Sequence, residues 1–131
     1  MAEICIEAQI EKIGEVLDFF APMIEHLPPK IKSYIGIMID EIVSNIIYFG
    51  YDENHGLITV SMNVNSEITL EFEDDGMHFN PLEVSDPDVD IPTEERDPGG
   101  LGIFLVKKLS DAVYYQRKNQ KNYLTVIKKI N

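Results

Sequence analysis

A chain of 131 residues and 14.9 kDa fits one domain spanning 1–131 with a single main site, and 44% hydrophobic against 26% charged residues excludes a disordered tail. Eleven Lys and Arg against 23 Asp and Glu leave a formal charge of −12, a surface that repels a phosphate backbone and argues against nucleic acid as a partner. Charges break every apolar stretch well short of the roughly 20 residues a membrane span needs, and Cys5 is alone, so the expectation is a cytoplasmic protein with no membrane partner and no intramolecular disulfide.

Residues 3–10 alternate Ile4, Ile6, Ala8 and Ile10 with Cys5, Glu7 and Gln9, which predicts a strand with one buried face. From Ile13 through Val16, Leu17, Phe20, Met23, Ile24 and Leu27, apolar residues recur at three and four, marking an amphipathic helix with Pro22 as a candidate kink. Pro28-Pro29 ends it and opens a second helix over about 30–48, with a core stripe through Ile31, Ile35, Met38, Ile39, Ile42 and Ile46. Gly50 and the DENHG stretch close that helix. Residues 57–65 and 67–73 alternate about Asn65-Ser66 and predict a hairpin whose second strand runs into Asp74-Asp75-Gly76.

Residues 79–100 have four prolines and no periodicity, and are expected to form a lid. Within 82–97, seven acids face only Arg96, about half of the net charge. A third helix is expected over 101–109, then strands at 112–117 and 122–130 joined around Asn119. Residues 107–131 hold seven basic side chains and one acidic, so this end is cationic. The seven, Lys107, Lys108, Arg117, Lys118, Lys121, Lys128 and Lys129, could attract an acidic partner or be ordinary solvated edges. The order β-α-α-β-β-lid-α-β-β implies an α+β fold, a two-layer sandwich with a mixed, mostly antiparallel sheet and three helices on one face. Consecutive hairpins disfavour a doubly wound parallel sheet.

Three groups of residues could carry chemistry. Glu41 and Asn45 lie one helical turn apart on one face, and a carboxylate with an amide oxygen suits Mg²⁺ or an oriented water; a solvated polar face would carry the same pair. Both lie beside the stripe Ile39, Ile42, Ile46, near the edge of the core face. Asp74, at a strand end before Gly76, is placed to accept from an exocyclic amine, although Asp and Gly also make plain turns. Gly99, Gly100, Leu101 and Gly102 open a helix, where free backbone N–H groups bind phosphate oxygens or where glycines serve only as a hinge. His26, His55 and His78 stand without carboxylate or Cys partners at metal-ligand spacing, so no zinc site is expected.

An E-x-x-x-N helix, a strand ending in D-x-G, a lid and G-G-L-G at a helix start occur here in that order. The stretches IDEIVSNIIYFGY (39–51), FEDDGMHFNPLEVSDPDVD (72–90) and DPGGLGIFLVKKLSDAVYYQRKNQKNYLTVIKKI (97–130) resemble the GHKL ATPases with their Bergerat nucleotide fold. Within that superfamily the chain looks most like the anti-sigma-factor serine/threonine kinases of bacterial partner-switching systems. The resemblance implies ATP and ADP as ligands, with Asn45 coordinating Mg²⁺ and Glu41 activating the attacking hydroxyl. It further implies that Asp74 accepts the adenine amino group, that Gly76 gives the ring access, and that Gly99, Gly100, Leu101 and Gly102 hold the phosphates. It implies an anti-sigma-factor antagonist and a sigma factor as partners, and a homodimer. The alternative is a regulatory module that holds nucleotide and sequesters its partner without turnover. Phe49 stands where many members carry a basic or polar side chain, His78 replaces a second glycine, and Asn80 stands where aspartate before proline is common.

Overall fold

In a computed structural model, residues 1–51, 56–83 and 98–131 are described. The chain opens with strand β1 (Ala2–Glu7), a 3-10 turn (Ile10–Lys12) and helices α1 (Ile13–Ile24) and α2 (Pro29–Gly50). Strands β2 (Leu57–Val64) and β3 (Glu67–Asp74) follow, then a 3-10 turn (Pro81–Glu83), helix α3 (Pro98–Leu109) and strands β4 (Ala112–Lys118) and β5 (Lys121–Lys129). The five strands form one sheet in the order β1-β2-β3-β5-β4. Among the described residues every pairing is antiparallel, so the sheet is wholly antiparallel where a mixed, mostly antiparallel one was expected. No helix among the described residues is long and apolar enough to cross a membrane.

The period of two sorts each strand into two faces. Ile58, Val60 and Met62 of β2, Ile68, Leu70 and Phe72 of β3, and Leu124 and Val126 of β5 point to one side and are buried. Val16, Phe20 and Ile24 of α1, Ile35, Met38, Ile39, Ile42 and Val43 of α2, and Val106 of α3 join them in one core, so the three helices cover this face. Burying each such side chain contributes about 1.5–3 kcal/mol. The other face carries Glu3, Cys5 and Glu7 of β1, all three exposed.

The expected boundaries moved where hydrogen-bond partners ran out. β1 ends at Glu7 rather than residue 10 because its partner strand begins at Leu57, opposite Glu7. Beyond that point Ala8 N–H donates to Gly56 O, and Ile10 turns outward, 56% exposed. α1 stops at Ile24, and a turn closed by Leu27 N–H on Ile24 O still buries Leu27. α2 begins at Pro29, whose missing N–H costs nothing in a first turn, and runs on to Gly50.

The hairpins behave as their turn residues dictate. Asn65 Oδ1 accepts from Glu67 N–H at 3.3 Å, closing the β2–β3 turn. Asn119 and Gln120 both have positive φ, 53° and 63°, the conformation of a two-residue turn matched to strand twist. The expected lid over 79–100 lies largely outside the described residues, at 84–97. Its near end is packed structure, with Pro81 buried and Leu82 against the core, and its far end belongs to α3.

Candidate nucleotide site

Helix α2 lays out one wall of a cleft. Its residues rise about 1.5 Å each along the axis, so Asn45 and Gly50 stand about 6 and 13.5 Å above the level of Glu41. Asn45, Gly50, Asp74, Phe79, Tyr115 and Asn122 are among the residues that line the cleft. Asn45 and Asp74, which come from different elements, thus share one cavity, and both are buried.

Asp74 ends β3 on the core face, because Ile68, Leu70, Phe72 and Asp74 form one period-two series. Its Oδ1 accepts from Gly76 N–H at 3.0 Å and from Asn122 Nδ2 at 2.9 Å. Burial pushes its carboxyl above the ordinary carboxylate value, those two hydrogen bonds pull it back, Asp75 adds to the rise and Arg117 opposes it.

Gly76 is required to be small by packing within the fold. A Cβ there would stand 2.5 Å from the backbone oxygen of Gly50, because the turn after β3 is drawn onto the end of α2, where Met77 N–H donates to Gly50 O at 2.9 Å. Arg117 Nη1 donates to Gly76 O at 2.9 Å from the far side. Gly76→Ala is therefore expected to lower stability by about 1–3 kcal/mol, since backbone must move to admit the methyl, and a thermal melt reads the loss.

One helical turn before Asn45, Glu41 faces α3. A Cβ on Gly102 would lie 2.6 Å from Glu41 Oε2, so the carboxylate rests on the bare backbone of α3 at that residue. Burial, helped by the charge of Asp40, raises the Glu41 carboxyl above its ordinary value. α3 starts at Pro98 rather than Leu101, which places Gly99, Gly100 and Leu101 in its first turn rather than before it.

The donor chemistry suits a divalent ion shared with phosphate. A buried amide oxygen of Asn45 one turn from the Glu41 carboxylate offers one or two hard oxygen ligands, the number Mg²⁺ takes from protein when it keeps waters and binds phosphate.

The departures from the family pattern have structural counterparts. Phe49 stacks on Phe79 at 4.6 Å between centroids and 16° between planes, an aromatic pair of which Phe79 lines the cleft. His78 is exposed and lies parallel to the Tyr115 ring at 6.1 Å. Asn80 organises the following 3-10 turn, its Oδ1 accepting from Leu82 N–H at 2.9 Å.

Several members of the site escaped the sequence reading. Asn122 is a buried amide on β5, in series with Leu124 and Val126, and its signal was a polar residue at a core position. Tyr51 ties the end of α2 to β2 and to the turn after β3: its hydroxyl contacts Leu57 O at 2.8 Å and Asp75 Oδ1 at 2.7 Å and accepts from Asp75 N–H at 3.0 Å. Gly56, at φ 145°, passes over the Tyr51 ring where a Cβ would stand 2.2 Å away. The cationic C-terminal segment is partly consumed by the fold. Besides Arg117, Lys128 pairs with Asp111 at 3.7 Å, and Lys121 with Glu73 at 3.4 Å.

Residues 6–128 match the family described as histidine kinase-like ATPase domain. The serine/threonine-protein kinase BtrW of Bordetella bronchiseptica is 23% identical over 99 residues, covering 74% of this chain and 70% of that protein. The anti-sigma F factor of Clostridium perfringens is 27% identical over 129 residues, covering 95% of this chain and 92% of that protein. Among solved structures, the RsbU and RsbW domains of Rv1364c from Mycobacterium tuberculosis superpose with a TM-score of 0.63 at 12% identity over 99% of this chain, which spans 33% of that one. The histidine kinase domain of the Erythrobacter litoralis EL346 blue-light-activated histidine kinase superposes with a TM-score of 0.58 at 14% identity, over 92% of this chain and 60% of that one.

Proposed function

The chain belongs to the histidine kinase-like ATPase domain family, and on that premise we propose that it is an ATP-binding anti-sigma regulatory factor that transfers the γ-phosphoryl group of ATP to a Ser or Thr of an anti-sigma-factor antagonist. The observations that carry this reading are that Asn45 and Asp74 line one cleft and that Glu41, one helical turn before Asn45 on α2, rests on Gly102 near the start of α3. The 13.5 Å or so between the levels of Glu41 and Gly50 suits an extended nucleoside triphosphate, base at Asp74 and γ-phosphate at Glu41.

Asp74 accepts the adenine amino group, and the Phe79 side of the cleft packs the ring. The start of α3, where Gly99 and Gly100 carry free backbone N–H groups ahead of Leu101 and Gly102, faces the phosphates as the positive end of a helix does. Asn45 would hold Mg²⁺, which offsets the charge of the phosphates when bound. Glu41 accepts the proton of the attacking hydroxyl as its oxygen bonds to the γ-phosphorus, while the bond from that phosphorus to the β–γ bridging oxygen breaks and ADP departs. A carboxyl raised by burial is better matched to this task at neutral pH than an exposed one.

This reading is favoured over a module that only sequesters its partner, because a relative of the chain is named a serine/threonine-protein kinase and Glu41, raised by burial, stands one turn from Asn45. The proposed partners are the antagonist, a sigma factor and a second copy of this chain, in the cytoplasm. Calorimetric titration with ATP is expected to show binding that EDTA weakens at least tenfold; affinity indifferent to EDTA would count against Asn45 as a metal ligand.

A further inference from the structure

The side-chain amide of Asn122 sits in the inner row of β5 beside the buried apolar Leu124 and Val126. A buried amide there carries a desolvation cost that leucine would avoid, unless its hydrogen bonds recover it. Three contacts involve it. Nδ2 donates to Asp74 Oδ1 at 2.9 Å and to Met77 O at 2.9 Å, and Oδ1 accepts from the Tyr115 hydroxyl.

These contacts permit one orientation of the amide. A backbone carbonyl only accepts, so Nδ2 must face Met77; a flip would set Oδ1 against two acceptors and strand the Tyr115 proton. Both hydrogens of Nδ2 are then committed, one to the backbone of the turn after β3 and one to Asp74. Three groups that form the wall of the cleft thus converge on one side chain from β5.

We infer that Asn122, its amide oriented by Tyr115, is a positioning residue that locks the Asp74 carboxylate in one rotamer, with Oδ1 consumed internally and Oδ2 left for the amino group of the ligand. This rests on the nucleotide reading of the cleft. The hold also favours the charged carboxylate, because a donor aimed at Oδ1 opposes the rise that burial imposes. The other groups facing Asp74 are Asp75, which raises it, and Arg117, which lowers it, while Tyr51 and Tyr115 remain neutral phenols. None of the substitutions below alters the charge of these neighbours.

The test compares the full-length wild type with Asn122→Leu, Asn122→Ser and Tyr115→Phe by two measurements. Carbon-13 NMR follows the Asp74 carboxyl carbon through its titration without nucleotide, and calorimetry gives ATP affinity from mildly acid to mildly alkaline pH. The expected result is an Asp74 titration moved to higher pH in Asn122→Leu, less so in Tyr115→Phe, and partly restored by the serine hydroxyl. ATP affinity in Asn122→Leu should fall about tenfold more at the acid end than at the alkaline end. Tyr115→Phe removes one hydroxyl only and keeps the test decisive if the leucine variant folds poorly. An unmoved titration in both variants, or an affinity lost by the same factor at every pH, overturns the assignment. A moved titration in a protein that takes no ATP upholds the grip on Asp74 and overturns the nucleotide reading instead.

Discussion

Asp74→Asn is expected to weaken ATP binding about a hundredfold or more while leaving the fold as stable as before. The direction follows from the neighbours of Asp74. Gly76 N–H and Asn122 Nδ2 both donate to one oxygen, so an asparagine must keep its only oxygen there. Its NH₂ then replaces the free carboxylate oxygen and confronts the adenine amino group, donor against donor. Losing a charge-assisted hydrogen bond costs about 1.5–3 kcal/mol, and leaving two donors opposed adds to it, which together corresponds to about two decades in affinity.

Stability should move the other way or not at all. Burial holds the Asp74 carboxyl above its ordinary value, so at neutral pH the folded chain carries a desolvated charge that the unfolded chain would solvate. The sign is that of a raised carboxyl: the folded state binds the proton more tightly, and the group's contribution grows less favourable as pH rises through the shifted value. A neutral amide removes that cost. Calorimetry for affinity and a thermal melt for stability separate a lost ligand contact from a damaged fold; affinity within threefold of wild type would exclude Asp74 as the adenine acceptor.

Glu41→Gln is expected to slow phosphoryl transfer about 10²–10⁴-fold, the range for loss of a positioned general base, with ATP affinity changed only a few-fold. Glutamine is the same size and can rest on Gly102 as the carboxylate does, so the substitution removes basicity and little else. The pH profile supplies a second readout. Because burial and Asp40 raise the Glu41 carboxyl, the acid limb of wild-type transfer should lie at higher pH than an exposed glutamate would place it. Below that limb Glu41 holds its proton and cannot accept another; above it the rate levels off. Transfer of labelled γ-phosphate to a serine-bearing antagonist, followed against pH, gives both results. Glutamine variant turnover near that of wild type would leave Glu41 without a catalytic role.

Much of this architecture is legible as periodicity. The stripe from Ile35 to Ile42 repeats at three and four, Ile68, Leu70 and Phe72 repeat at two, and Asn65-Ser66 and Asn119 are turn chemistry, so element types follow from local constraints. Glu41 and Asn45 could be paired because four residues make a helical turn. Element ends were less legible, since they depend on partners distant in sequence. Ile10 reads as one more strand residue, yet β2 has no residue left to pair with it, and the chain turns away.

The amino-acid sequence by itself determined the elements, the placement of Glu41 and Asn45 on one helix and of Asp74 at a strand end, because these depend on neighbours within a few residues. Only the tertiary structure decided that β5 lies beside β3, which sets Asn122 opposite Asp74 in the register, and that the backbone of Gly50 approaches Gly76 too closely for a side chain. Only packing decided that Tyr115 turns the Asn122 amide and that Glu41 meets Gly102. Such contacts join residues tens of positions apart, and the alternation that places a side chain on the inner face is silent about which strand will stand next to it.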